Sequence, residues 1–131
     1  RTAVDSANQT FHDGVKSEIE KRQKNVESAY ANFRASVKAA LEKAKADCPN
    51  AADPKTVKET LAASIKTAKE AMKQATDAAQ NAFKSALETL KSTRKTSVDE
   101  ARTDFQAAIE KARTDLKAAF GETPKATTTA S

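Results

Sequence analysis

The stretch FRASVKAALEKAKADC, residues 33–48, contains the spacing from which the fold follows. Its apolar positions, separated by steps of four, four, three and four residues, are Phe33, Val37, Leu41, Ala44 and Cys48. Eleven residues in three turns give about 3.67 residues per turn, close to the 3.6 of an α-helix. The spacing therefore predicts a helix whose apolar side chains stay on one face.

The same spacing extends through nearly the whole chain. Positions that repeat the steps of four, four and three residues form what we call a grid. One grid runs from Val4 to Cys48, and a second runs from Val57 to Phe120. All 21 Val, Ile, Leu, Met, Phe and Tyr residues lie on these two grids. An eleven-residue repeat drifts slightly in the right-handed sense, so we expect helix packing that resembles a right-handed coiled coil.

The two grids are out of phase by two residues, and the slip falls in DCPNAADP, residues 47–54. Asp53 followed by Pro54 is typical of a helix start, with the aspartate as N-cap and the proline at the first helical position. We predict an all-α fold with a helix over residues 2–47, a turn over 48–54 and a helix over 55–120. A short connection between two amphipathic helices favours a long antiparallel helical hairpin. Gly14 is the weak point of the first helix, because glycine disfavours helical backbone.

A break near residues 95–97 would give the alternative fold, a three-helix bundle. Ser97-x-x-Glu100 matches a capping box, which is typical of a helix start. The apolar grid nevertheless keeps its phase from Val57 to Phe120, and this favours one uninterrupted helix. In either case we predict one elongated helical domain over residues 1–120, followed by a Thr-rich tail over residues 121–131.

Two arginines occupy grid positions where an apolar side chain is expected. If the chain folds at residue 51, residue i of the first helix lies opposite about residue 102 − i of the second. Arg22 would then lie over Ala79, and Arg94 would meet Asn8 in a polar layer. Either each arginine packs its aliphatic stem and keeps its charge in water, or it sets the helix register or forms an interchain salt bridge.

The charge pattern and hydropathy bear on possible binding partners. The chain has 23 Lys and Arg against 18 Asp and Glu, a formal net charge of +5, and the two signs are interleaved. This pattern is typical of a solvated helix surface, and the polar face lacks the aromatic residues that stack on bases. We predict no nucleic-acid partner. No apolar run reaches the roughly 18 residues that a membrane-spanning helix needs, so we also predict no transmembrane segment.

No catalytic, metal or cofactor site is predicted. His12, the one histidine of the sequence, lies beside the apolar grid and is expected to face solvent. Cys48, the one cysteine, excludes an intrachain disulfide and is expected to be a small buried residue. Most carboxylates lie three or four residues from Lys or Arg, as helix-stabilising pairs do. We therefore predict that the protein is not an enzyme and uses no cofactor.

Two stretches resemble known groups of proteins. KTAKEAMKQATDAAQNAFKSALETLKS, residues 66–92, resembles the eleven-residue amphipathic repeats of apolipoproteins, phasins and late-embryogenesis proteins. Residues 1–48 resemble the opening of Ala-rich helical proteins of small-genome bacteria, which usually follow a secretion signal. The second resemblance implies an extracellular or cell-surface location, with a cytoplasmic one left open, and it implies no activity or site residues.

The two predicted helices differ in length, and we base our expectation about function on this difference. The first helix covers the second only to about residue 101, whereas the apolar grid continues beyond it. We expect a neighbouring chain to cover the remainder, giving a homo-oligomer or a filament of a structural protein, such as an extracellular filament or surface-layer subunit. The alternatives are an amphipathic protein of a lipid or granule surface and an adaptor bundle in a larger complex. The candidate interface residues are Phe105, Ile109, Leu116, Phe120, Arg22 and Arg94.

Overall fold

The computed structural model describes residues 2–50 and 53–121. It contains two helices, α1 over Thr2–Asp47 and α2 over Pro54–Gly121, and no strand within the described residues. The two helices pack against each other, so the predicted all-α helical hairpin is confirmed. Helix α2 passes through Ser97 without a break, and the structure therefore has no third helix in the described residues. Residues 122–131 of the predicted Thr-rich tail lie outside the described residues.

Local hydrogen bonds define the turn between the helices. The backbone N–H of Cys48 donates to the carbonyl of Ala44 at 3.0 Å, and that of Asn50 donates to the carbonyl of Asp47 at 3.1 Å. Asp53 caps α2, because its carboxylate accepts the backbone N–H of Lys55 at 3.0 Å. Cys48 is exposed, so the prediction that it is buried is wrong. The reason is that α1 ends at Asp47, and the helical spacing no longer directs the next side chain inward.

The contacts within the hairpin fall into two units, one over residues 12–90 and one that joins residues up to 11 to residues from 91 onward. In the first unit three alanines are the buried apolar residues among those described: Ala29, Ala68 and Ala79. Small side chains at these positions let helices pack closely. The larger grid residues around them are mostly half-buried, so this unit has a thin, continuous seam rather than a thick core.

Grid positions that are eleven residues apart lie in one row along the helix. One such row on α1 is more exposed than the sequence predicts. Ile19, Tyr30 and Leu41, spaced eleven residues apart on α1, are each more than two-fifths exposed. Ala29, the residue before Tyr30, is buried instead. The row lies about 65° around the helix from the grid row that contains Phe33, at an eleven-residue repeat of about 98° per residue. It therefore forms the rim of the seam, while the alanine forms part of its centre.

Gly14 belongs to the same unit and contacts α2 closely. A Cβ atom built on Gly14 would lie 2.6 Å from Cδ2 and 3.2 Å from Cδ1 of Leu90. Glycine at this position thus gives room to a large side chain of the facing helix. Gly14, which was expected to weaken α1 because glycine has a low helix propensity, is therefore a site of close contact with α2.

Candidate assembly surface

The C-terminal part of α2 extends past the beginning of α1 within the second unit. The guanidinium carbon of Arg94 lies 5.1 Å from the ring centroid of Phe11, which fixes the level at which the helices meet. Helix α1 begins at Thr2, nine residues before Phe11, and at 1.5 Å per residue it reaches about the level of Thr103. Helix α2 continues to Gly121. We call residues 104–121 the overhang.

The overhang carries large apolar side chains that remain exposed. Phe105 is 65% exposed, Leu116 58% and Phe120 71%. Ile109 is partly covered. These four are the interface candidates on α2 that the sequence predicted, and they continue the eleven-residue grid of that helix. A partner that buried them would contribute roughly 1.5–3 kcal/mol for each fully buried side chain.

Charged side chains border the apolar face of the overhang on both sides. On one side Lys111 Nζ lies 2.7 Å from Asp115 Oδ2. On the other side Arg113 Nη1 lies 3.1 Å from Glu110 Oε1. Each pair is exposed, and exposed helical pairs contribute only about 0.3–0.5 kcal/mol. Each border therefore presents both charge signs to solvent, beside the apolar face.

The two grid arginines contact aromatic rings of their own chain. In the unit over residues 12–90, the guanidinium carbon of Arg22 lies 4.5 Å from the ring centroid of Phe83, and its Nη1 donates to Gln80 Oε1 at 3.4 Å. In the other unit Arg94 lies over Phe11. Each arrangement is a cation–π contact. A role for these arginines in an interchain contact stays a prediction.

The contacts of the two arginines bear on the predicted helix register. The guanidinium of Arg22 lies over Phe83, and its Nη1 donates to Gln80, the residue next to the predicted partner Ala79. Arg94 lies over Phe11, three residues from the predicted partner Asn8. Both contacts lie within about one helical turn of the predicted alignment, and the pairs Arg22–Ala79 and Arg94–Asn8 stay predictions.

The exposed row of Ile19, Tyr30 and Leu41 is a second apolar surface, which the sequence prediction placed inside the seam. The sequence gives no consistent signal for this position. Alanine precedes Tyr30 and Leu41, but glutamate precedes Ile19, and alanine also precedes Met72 and Phe83, which are half-buried on α2.

The described residues hold no group of three or more His, Cys, Asp and Glu side chains that could bind a metal ion. His12 is exposed on α1, as predicted. Neither helix, within the described ranges, has an apolar stretch long enough to cross a bilayer. No family model, curated protein or solved structure matches this chain. The fold is thus a helical hairpin in which α2 extends past α1 and carries the exposed side chains of Phe105 and Leu116.

Proposed function

We propose that this protein is a non-enzymatic structural protein that self-assembles by helix–helix packing through the overhang. The observation that carries the proposal is the exposure of Phe105 and Leu116 on a helix whose preceding large apolar grid residues are half-buried. Exposed apolar residues that stand alone are ordinary on protein surfaces, but a continuous apolar face bordered by charges is typical of an interaction site.

The spacing of the exposed face favours another helix as its partner. Phe105 and Leu116 are eleven residues apart, as are Met72 and Phe83 in the part of α2 that packs against α1. A helix that presents a similar face would fit the overhang by the packing already used inside the hairpin. A second copy of this chain carries the same apolar face, and we propose that it is the partner.

A filament or surface layer needs a second contact, because one self-complementary contact closes as a dimer. The row of Ile19, Tyr30 and Leu41 is the other exposed apolar surface that supports such growth. We propose that assembly beyond the first contact uses this row. An extracellular location of the assembly stays a prediction from the resemblance of residues 1–48.

The experiment compares two double variants of the full chain. Phe105→Ser with Leu116→Ser removes the apolar face, whereas Ala107→Ser with Ala118→Ser changes the opposite face at the same eleven-residue spacing. Sedimentation velocity over a concentration series should show association in the parent and the control, and monomer in the first variant. Circular dichroism should show both variants fully helical. Equal association of the two variants would refute the proposal.

Binding to lipid is the competing outcome of the same experiment. The basic side chains beside the overhang would suit an anionic surface. Flotation with vesicles that contain anionic lipid should leave the parent protein in the lipid-free fraction under conditions where it self-associates. A monomeric parent that floats with vesicles, and a Phe105→Ser/Leu116→Ser variant that does not, would replace self-assembly by a lipid-surface function.

A further inference from the structure

Lysine and arginine are sorted to one flank of α2, although the two charge signs are interleaved along the sequence. Two rows with eleven-residue spacing begin at Lys58 and at Ala62 and end at Arg113 and Lys117. At about 98° per residue, these rows lie about 65° and 98° around α2 from the grid row that contains Phe83. Nine of their twelve residues are lysine or arginine, and none is aspartate or glutamate. We call these two rows the basic strip.

Each of the two units holds half of the basic strip. In the unit over residues 12–90, the strip consists of Lys58, Ala62, Lys69, Lys73, Gln80 and Lys84, all of them exposed. From residue 91 onward it consists of Lys91, Lys95, Arg102, Gln106, Arg113 and Lys117, all of them exposed. At 1.5 Å per residue, each half extends over about 39 Å of helix.

The opposite flank of α2 lacks these charges. At the same two angles on the other side of the Phe83 row, the residues are serine, threonine, alanine and aspartate, without lysine or arginine. In the unit over residues 12–90 they are Thr60, Ser64, Ala71, Ala75, Ala82 and Ala86. Lysine stems that cover the edge of a helix contact would serve equally well on both flanks. A contact with a negatively charged partner, in contrast, requires the charges on one side only.

The ion pairs of the strip leave much of its charge open to a ligand. Three strip residues pair with carboxylates of the next row: Lys73 with Asp77 at 2.9 Å, Lys95 with Asp99 at 2.6 Å and Arg113 with Glu110 at 3.1 Å. All three pairs are exposed, so a competing anion displaces the carboxylate at little cost. Within the described residues, Lys58, Lys69 and Lys84 take part in no ion pair.

The composition and course of the strip distinguish between kinds of polyanion. Proteins that bind single-stranded nucleic acid stack its bases on aromatic side chains, and helices that bind an anionic bilayer insert large apolar side chains. The strip has neither, because its uncharged residues are alanine and glutamine. The phosphates of a duplex wind around the duplex axis, whereas each half of the strip follows a single helix. A duplex would therefore meet the strip only where one of its strands crosses it.

A linear acidic polysaccharide matches the strip in both respects. Its carboxylate or sulfate groups lie along an extended chain that presents neither bases nor acyl chains. Such a chain can follow the strip and meet Lys58, Lys69, Lys73 and Lys84 in turn, at intervals of about 16.5, 6 and 16.5 Å along the helix. Lysine carries a point charge on a flexible stem and adapts to anionic groups of uneven spacing.

We propose that the basic strip of α2 binds a linear acidic polysaccharide through its lysine and arginine side chains. The strip lies on a different side of α2 from the row of Phe105 and Leu116. This binding is therefore separate from the proposed self-assembly.

Two triple variants of the full chain, equal in net charge, test the binding. Lys58→Gln/Lys69→Gln/Lys84→Gln removes three charges from the strip. The control removes three exposed charges from α1 in the same unit, by Lys21→Gln/Lys24→Gln/Lys43→Gln. The probe is a heparin oligosaccharide, which is linear and sulfated. Calorimetric titration at a fixed salt concentration should give an affinity about tenfold weaker for the strip variant than for the control.

The salt dependence gives a second readout. The strip variant should lose less affinity than the control as the salt concentration rises, because its complex releases fewer counterions. Circular dichroism should show the same helix content in the parent and both variants. Equal loss of affinity in the two variants would show attraction by net charge alone and would overturn the assignment to the strip.

Other partners give different results in the same assays. Duplex DNA that binds the parent more tightly than heparin of equal charge would replace the polysaccharide by nucleic acid. Flotation of the parent with anionic vesicles, lost in the strip variant, would replace it by a lipid surface. Self-association of a parent that does not bind heparin would refute the polysaccharide site alone. Heparin binding by a parent that stays monomeric would refute the self-assembly alone.

Discussion

Gly14→Ala should fail to stabilise this protein, although alanine is the better helix former. In an open helix the change would stabilise by about 1 kcal/mol. Here the added Cβ would lie 2.6 Å from Leu90 Cδ2 and 3.2 Å from Cδ1, whereas ordinary contact begins near 3.4 Å. Overpacking of this kind costs about 1–3 kcal/mol, at the lower end where the clashing atoms end a flexible side chain. We therefore expect a net change between zero and about 2 kcal/mol of destabilisation.

A double-mutant cycle isolates the contact from the helix propensity. In a Leu90→Ala background the obstacle is absent, so Gly14→Ala should stabilise the protein by about 1 kcal/mol. The effect of Gly14→Ala on the free energy of unfolding should differ between the two backgrounds by about 1–3 kcal/mol, and this difference measures the steric conflict with Leu90. Urea unfolding followed by circular dichroism gives each value, at one protein concentration because the proposed association would make stability concentration-dependent. Equal stabilisation in both backgrounds would refute the close contact.

Three further predictions follow from single contacts. Native Cys48 should react with a thiol reagent at the rate of an exposed thiol, and Cys48→Ser should leave the oligomeric state on a sizing column unchanged. The hydrogen bond from Lys95 and its charge hold the pKa of Asp99 below the usual value. The ionised Asp99 therefore stabilises the folded state at pH values above the pKa it has in the unfolded chain. This stabilisation is lost as the pH falls through the pKa of Asp99 in the folded state. Lys95→Ala should raise the pKa of Asp99 in an NMR titration. Arg22→Gln should destabilise by about 0.5–2 kcal/mol, and by less once Phe83 is replaced by leucine.

The fold could be predicted from the sequence because a single event, the phase slip at residues 47–54, separates two unbroken grids. The slip coincides with the turn, and Asp53 caps the second helix as its sequence position indicates. The overhang could be predicted for the same reason, since the unequal lengths of the grids leave one end of α2 without a facing helix. Cys48 could not be placed this way, because a grid position has meaning only while the helix continues.

The apolar grid alone does not determine the register between the two helices. Apolar positions recur every three or four residues, so sliding α1 by one turn along α2 again places grid residues opposite grid residues. The hydrophobic pattern is almost unchanged by that slide, and it cannot select one alignment. Individual contacts distinguish the alignments: the Leu90 side chain lies in the space beside Gly14, and the guanidinium of Arg22 lies over the ring of Phe83. The apolar grid thus determines which helix faces meet, while a few contacts between unlike side chains distinguish one register from another.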